Sequence, residues 1–240
     1  GVGLTAPQLQ EMATAGAKLV WSPLSNFMLY GKTAQVEAAK RAGLSISLAP
    51  DWAPSGSKSS LGELKVADLV NRHDLKGLFS DRELVEMVTR NPAQAMGWGH
   101  RLGQIAPGYL ADVLVVDDRH ADPYRNLILA TEAHIQLVAV RGEPLYGDRQ
   151  LLALARGGED GMETTWTLRK GGRSKAMMPN CPNTGLPAQS VAETAARLQQ
   201  GLRFDARQLA DKLTPQQRAK DFAQCGLSAP DASTPVTAVD

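Results

Sequence analysis

The chain has 240 residues, 43% hydrophobic and 21% charged, and its 26 Lys and Arg nearly balance its 25 Asp and Glu, for a formal net charge of +1. That length suffices for one large domain or two small ones, and the scattered charge offers no basic face for nucleic acid. No apolar run approaches the roughly 18–20 residues of a membrane span, and self-association stays open.

Taken in order, the first 50 residues alternate helix and strand. Thr5 and Gln8 have capping-box spacing. Leu9, Met12 and Ala13 follow at helical spacing, and Gly16 stands where a C-cap belongs. Lys18 to Trp21 reads as a strand, 33–42 as a helix closed by Gly43, and Leu44 to Ala49 as a second strand. Helices between strands with tight connections imply a parallel pair with crossover helices.

Residues 50–61, rich in Pro, Gly and Ser, read as a loop, and Leu61 to Val70 as a helix. Ser80 and Glu83 form another capping box, opening a helix with Leu84, Val85 and Val88 on its apolar side, which Asn91-Pro92 is expected to break. The texture then changes. A Pro107-Gly108 turn precedes a buried strand over Asp112 to Asp117, and Ile135 to Arg141 reads as another strand, ended by Gly142 and Glu143-Pro144. Beyond about residue 150 two helices are expected, opened by Ser190 with Glu193 and by Thr214 with Gln217. The first has Val191, Ala195, Leu198 and Leu202 on one side, and the last dozen residues, with Pro230 and Pro235, read as a tail.

Asp51 is the first candidate for chemistry, because it lies just past the C-terminal end of a predicted parallel strand, where active-site groups of α/β proteins gather. On position alone, it serves equally well by capping the following loop through its own backbone. Ser22, Ser25 and Asn26 fall at the corresponding end of the preceding strand, where Ser and Asn side chains also stabilise turns. His73, His100, His120 and His134 show neither HxH nor HxxxH spacing, and three ligands for a catalytic zinc cannot be assembled. Cys181 and Cys225 lack CxxC spacing and are either free thiols or a disulfide.

Three segments together resemble the amidohydrolase superfamily of metal-dependent hydrolases. Ser22 to Lys32, SPLSNFMLYGK, resembles the segment at its seventh barrel strand; Ser45 to Ser57, SISLAPDWAPSGS, the eighth strand with its single Asp; and Val88 to Asp118 its closing signature of an Asn-Pro-Ala helix, a Gly-x-Ile-x-x-Gly turn and Ala-Asp before an apolar strand. The resemblance covers about residues 1–148. It implies a hydrolase of non-peptide C–N bonds in a small-molecule substrate that uses a divalent metal, with zinc expected, to activate water. Asp51 matches the family's metal-binding and proton-transferring carboxylate, and Asn26 and Trp52 fall where substrate is contacted. The HxH pair and the single His ligands of the family have no counterpart in this sequence, and the sixth-strand ligand would fall immediately upstream of Gly1.

The expected fold is α/β: the C-terminal βα units of a (β/α)8 (TIM-type) barrel, a small β subdomain and a helical C-terminal extension. Residues 1–100 form the partial barrel, 101–149 the β subdomain and 150–240 the extension. Opening on Gly1 rather than Met, the chain is expected to be the later part of a longer polypeptide, which leaves a cytoplasmic or exported location open. On its own it is expected to be inactive. The alternative is a non-catalytic binding or assembly module derived from the same fold.

Overall fold

A computed structural model of the chain describes residues 1–52, 54–167, 173–179 and 190–212. It divides into two units, Gly1–Cys181 and Pro182–Asp240. In the first, helix α1 (Ala6–Thr14) starts at the Thr5–Gln8 capping box, where the Thr5 N–H donates to Gln8 Oε1 at 2.9 Å. Strand β1 (Lys18–Trp21) follows.

Helix α2 (Pro23–Tyr30) comes next, where side-chain turns were expected. The reason is local. Pro23 at the first helical position loses no hydrogen bond there, and Gly31 ends the helix in the left-handed conformation, φ 64°, that a glycine adopts without steric cost. Helix α3 (Val36–Arg41) is shorter than the predicted 33–42, because Asn26 Oδ1 already holds the Ala34 N–H, at 3.3 Å. Strand β2 (Ser45–Leu48) pairs in parallel with β1, Trp21 opposite Leu48.

Helix α4 (Ser60–His73) is capped by the Ser59 hydroxyl and α5 (Asp81–Glu86) by Ser80. The break after α5 falls at Met87 to Thr89 and not at Asn91-Pro92, which instead lies in the first turn of α6 (Arg90–Ala95). A proline is tolerated there because the first helical N–H groups have no intrahelical acceptor. The free edge of β2 is covered by this segment: the Leu48 N–H donates to Met87 O and Asn91 Nδ2 to Ile46 O, both at 2.8 Å. Leu9, Leu19, Trp21, Val36, Ile46, Leu64, Leu84 and Ile128 form the core between strands and helices, where burying each large side chain contributes about 1.5–3 kcal/mol.

Strand β3 (Val113–Val116) is only half-buried, with Leu114 exposed, and corrects the expectation of a buried strand over 112–117. Covered on one side, a short antiparallel strand leaves its other side to solvent. Helix α7 (Pro123–Leu129) follows, and it too was missed in the sequence. Strand β4 (Ile135–Val140) turns at Arg141-Gly142, both at positive φ, into β5 (Glu143–Asp148), which contains the Pro144 expected to end the strand. The register shifts beside that proline, between Val138 and Ala139, which accommodates a residue with no N–H to give. Helix α8 (Arg149–Arg156) and strands β6 (Glu163–Thr167) and β7 (Ser174–Met177) complete an antiparallel sheet in the order β3-β4-β5-β7-β6.

The second unit contains helix α9 (Val191–Lys212). Ser190 and Glu193 exchange capping bonds, Ser190 N–H to Glu193 Oε2 at 2.8 Å and Glu193 N–H to Ser190 Oγ at 3.0 Å. The expected helix at Thr214 and Gln217, Cys181, Cys225 and the proline-bearing tail lie outside the described residues. Among the described residues no helix is long and apolar enough to cross a membrane.

Candidate active site

A parallel strand carries its chemistry at its C-terminal end, where the chain leaves the sheet into a loop free to vary. Both strands of the parallel pair leave the sheet into polar segments at that end here. After β1 the chain enters α2, whose first turn brings Ser22, Ser25 and Asn26 to that end. After β2 it passes through Ala49-Pro50 to Asp51, which sits at φ 63°. Asp tolerates this left-handed conformation better than most residues because its short side chain bonds locally, as Asp51 Oδ1 does by accepting the Trp52 N–H at 2.9 Å.

The other carboxylate oxygen reaches across the sheet. Ser25 Oγ donates to Asp51 Oδ2 at 2.7 Å, and lies 3.2 Å from Ser55 Oγ. Ser25 is 1% exposed, whereas Asp51 itself is exposed. Asp51 is therefore both a loop cap and a carboxylate fixed in direction, with a lone pair left on each oxygen for a further partner. Its loop is closed tightly, the Trp52 carbonyl accepting the Gly56 N–H at 2.8 Å.

Asp51, Ser25 and Asn26 meet in one cavity of about 520 Å³, which Val20, Tyr30 and Lys32 also line. The three site residues expected from sequence thus divide. Asp51 and Asn26 share the cavity. Asn26 Oδ1 is engaged by the Ala34 N–H, so this residue also ties α2 to the segment after it. Trp52 lies outside the lining and is 62% exposed. Ser25 becomes the orienting partner. Its one signal in the sequence was its place at the end of a parallel strand, which it shared with Ser22 and Asn26.

Asp51 is the sole carboxylate among the lining residues. Among the described residues no three His, Cys, Asp or Glu side chains are grouped so as to hold a metal ion. His73, His100 and His120 are exposed, and His134 Nδ1 accepts the Thr131 N–H at 3.1 Å. A divalent metal would find one donor in the cavity and needs at least three from protein, so the described residues do not by themselves fit one.

The model of the family described as the amidohydrolase family matches residues 3–147. The 5-methylthioadenosine/S-adenosylhomocysteine deaminase of Thermococcus onnurineus is 31% identical over 161 residues, covering 63% of this chain and 38% of that protein. 5-methylthioadenosine/S-adenosylhomocysteine deaminase 1 of Archaeoglobus fulgidus is 34% identical over 155 residues, 59% of this chain and 36% of that protein. The chain thus spans little more than a third of the length of these relatives. Among solved structures, an adenosine deaminase from Xanthomonas campestris with bound zinc superposes with a TM-score of 0.57 at 23% identity, over 65% of this chain and 40% of the other, a likeness of fold.

Proposed function

Since the chain belongs to the amidohydrolase family, we propose that it forms the last two βα units of a (β/α)8 barrel in a hydrolase of non-peptide C–N bonds, with Asp51 as the proton-transferring carboxylate. The observation that carries this reading is the Asp51 carboxylate, directed by buried Ser25 at the C-terminal end of a parallel strand and facing a cavity of about 520 Å³. The relatives, named as deaminases, favour an amino group on a heteroaromatic ring as the bond cleaved.

In that reaction water adds to the ring carbon bearing the amino group. An Asp51 oxygen accepts the proton that the water loses and returns it to the departing nitrogen. The C–N bond breaks, a C–O bond forms, and ammonia leaves. Asn26 on the cavity wall and exposed Trp52, next to Asp51 in the chain, are proposed to contact the ring, Trp52 by stacking. Zinc, which the family resemblance implies, has Asp51 as its one donor among these residues, and its remaining donors would come from the part of the relatives that this chain does not span.

Asp51→Asn tests the reading, because Asn also tolerates positive φ and leaves the loop intact. With 5-methylthioadenosine as substrate and ammonia release as the signal, the variant of the complete polypeptide should turn over roughly 10²–10⁴-fold more slowly, with its melting temperature unchanged. Near-normal turnover would remove Asp51 from the mechanism. Absence of any C–N hydrolysis by the wild type would favour the non-catalytic module.

A further inference from the structure

Glu63 is a charged residue with no exposed surface. It lies in the first turn of α4, outside the lining of the cavity, and the reaction above does not use it. Each of its carboxylate oxygens has a separate donor from a different segment. The Leu24 N–H, at the start of α2, donates to Oε1 at 3.1 Å. The Ser57 hydroxyl, in the loop after β2, donates to Oε2. Leu24 adjoins Ser25, and Ser57 is two residues from Ser55, so the two segments that Glu63 grips are the two that meet at Asp51.

A fully buried carboxylate is costly unless its lone pairs are satisfied. Here they are met by a helix N-terminal amide and a hydroxyl, and α4's own N-terminal turn adds a favourable dipole. An apolar residue of the same volume would fill this space without tying the segments together. We infer that Glu63 is a positioning residue, which holds the first turn of α2 and the 50–59 loop in the one register that lets Ser25 and Ser55 fix the Asp51 carboxylate. This inference rests on the reading of Asp51 as the proton-transferring group.

The test is Glu63→Gln in the complete polypeptide, assayed with 5-methylthioadenosine and by amide hydrogen exchange. Gln keeps one acceptor oxygen and the volume, but turns an N–H₂ toward a donor. Turnover is expected to fall about 10–100-fold, as when partners behind a reacting group are removed, with KM within about threefold. Exchange should accelerate at least about tenfold in 22–26 and 54–57 and stay unchanged in α5, the mark of a local opening. Glu63→Gln and Ser25→Ala should be strongly non-additive in kcat, because both act through the same carboxylate. Uniform loss of protection with kcat tracking the folded fraction would overturn the inference, as would unchanged exchange at Leu24 or additive effects on kcat. Should Glu63→Gln fail to fold, Ser57→Ala removes one donor alone and is expected to reproduce the exchange change in 54–57; unchanged exchange there would overturn the inference. A wild type that releases no ammonia defeats the functional reading, while the exchange measurement still decides whether Glu63 holds the two segments.

Discussion

Ser25 and Asp51, 26 positions apart, meet at 2.7 Å because β1 and β2 run parallel and both end at the same edge of the sheet. The bond gives the carboxylate a direction that its own exposed position would not. Ser25→Ala removes it. We expect turnover on 5-methylthioadenosine to fall about tenfold or more, with a stability loss of about 1 kcal/mol. Steady-state kinetics beside a urea melt separates the two effects.

Gly56 closes the Asp51 loop. A Cβ built on it would overlap the carbonyl of Pro50, the residue before Asp51. Gly56→Ala must therefore push the backbone away at the site itself, costing about 1–3 kcal/mol by overpacking and lowering activity beyond what lost stability explains. Activity measured well below the melting temperature checks this.

Arg125 links α7 to two other helices. Its Nη1 donates to Asp68 Oδ1 and its Nε to Asp81 Oδ2, at 2.9 and 2.7 Å. Asp68 is buried, and Arg72 is its other partner. Arg125→Ala should destabilise the first unit by about 2 kcal/mol, less than for a buried charge left wholly unpaired because Arg72 remains. Chemical denaturation of the variant gives the value.

Asp117 and Arg173 predict a pH dependence. Arg173 donates to both Asp117 oxygens, at 2.9 and 2.6 Å. These bonds, aided by Gln136 against an opposing desolvation, hold the Asp117 carboxyl well below the usual carboxylate range. A depressed folded-state pKa stabilises above the unfolded value, about 4, and the contribution is lost as pH falls below it. The stability difference between wild type and Arg173→Ala, about 1 kcal/mol at neutral pH for a pair screened by solvent, should shrink from pH 6 to pH 2. A difference that grows over that range would contradict the assignment.

The sequence by itself determined what is settled within a few residues. The capping boxes at Thr5, Ser80 and Ser190 all open helices, because a side chain and an amide three residues apart meet without help from the rest of the chain. The strands β1 and β2 and the position of Asp51 after the second were equally legible, and so was the family. Helix α2 had its signals too, Pro23 and Gly31, but Phe27, Met28, Leu29 and Tyr30 run together without the periodicity that marks a helix. Only the tertiary structure decided that β5 would form through Pro144, since a register shift in its partner accommodates the missing donor. It alone decided that Ser25, among three polar neighbours, would reach Asp51, and that Glu63, in a stretch legible in the sequence only as helix, would be sealed between two segments. These outcomes depend on how distant pieces of chain pack, and packing is fixed by the core as a whole, not by any pattern along one stretch of it.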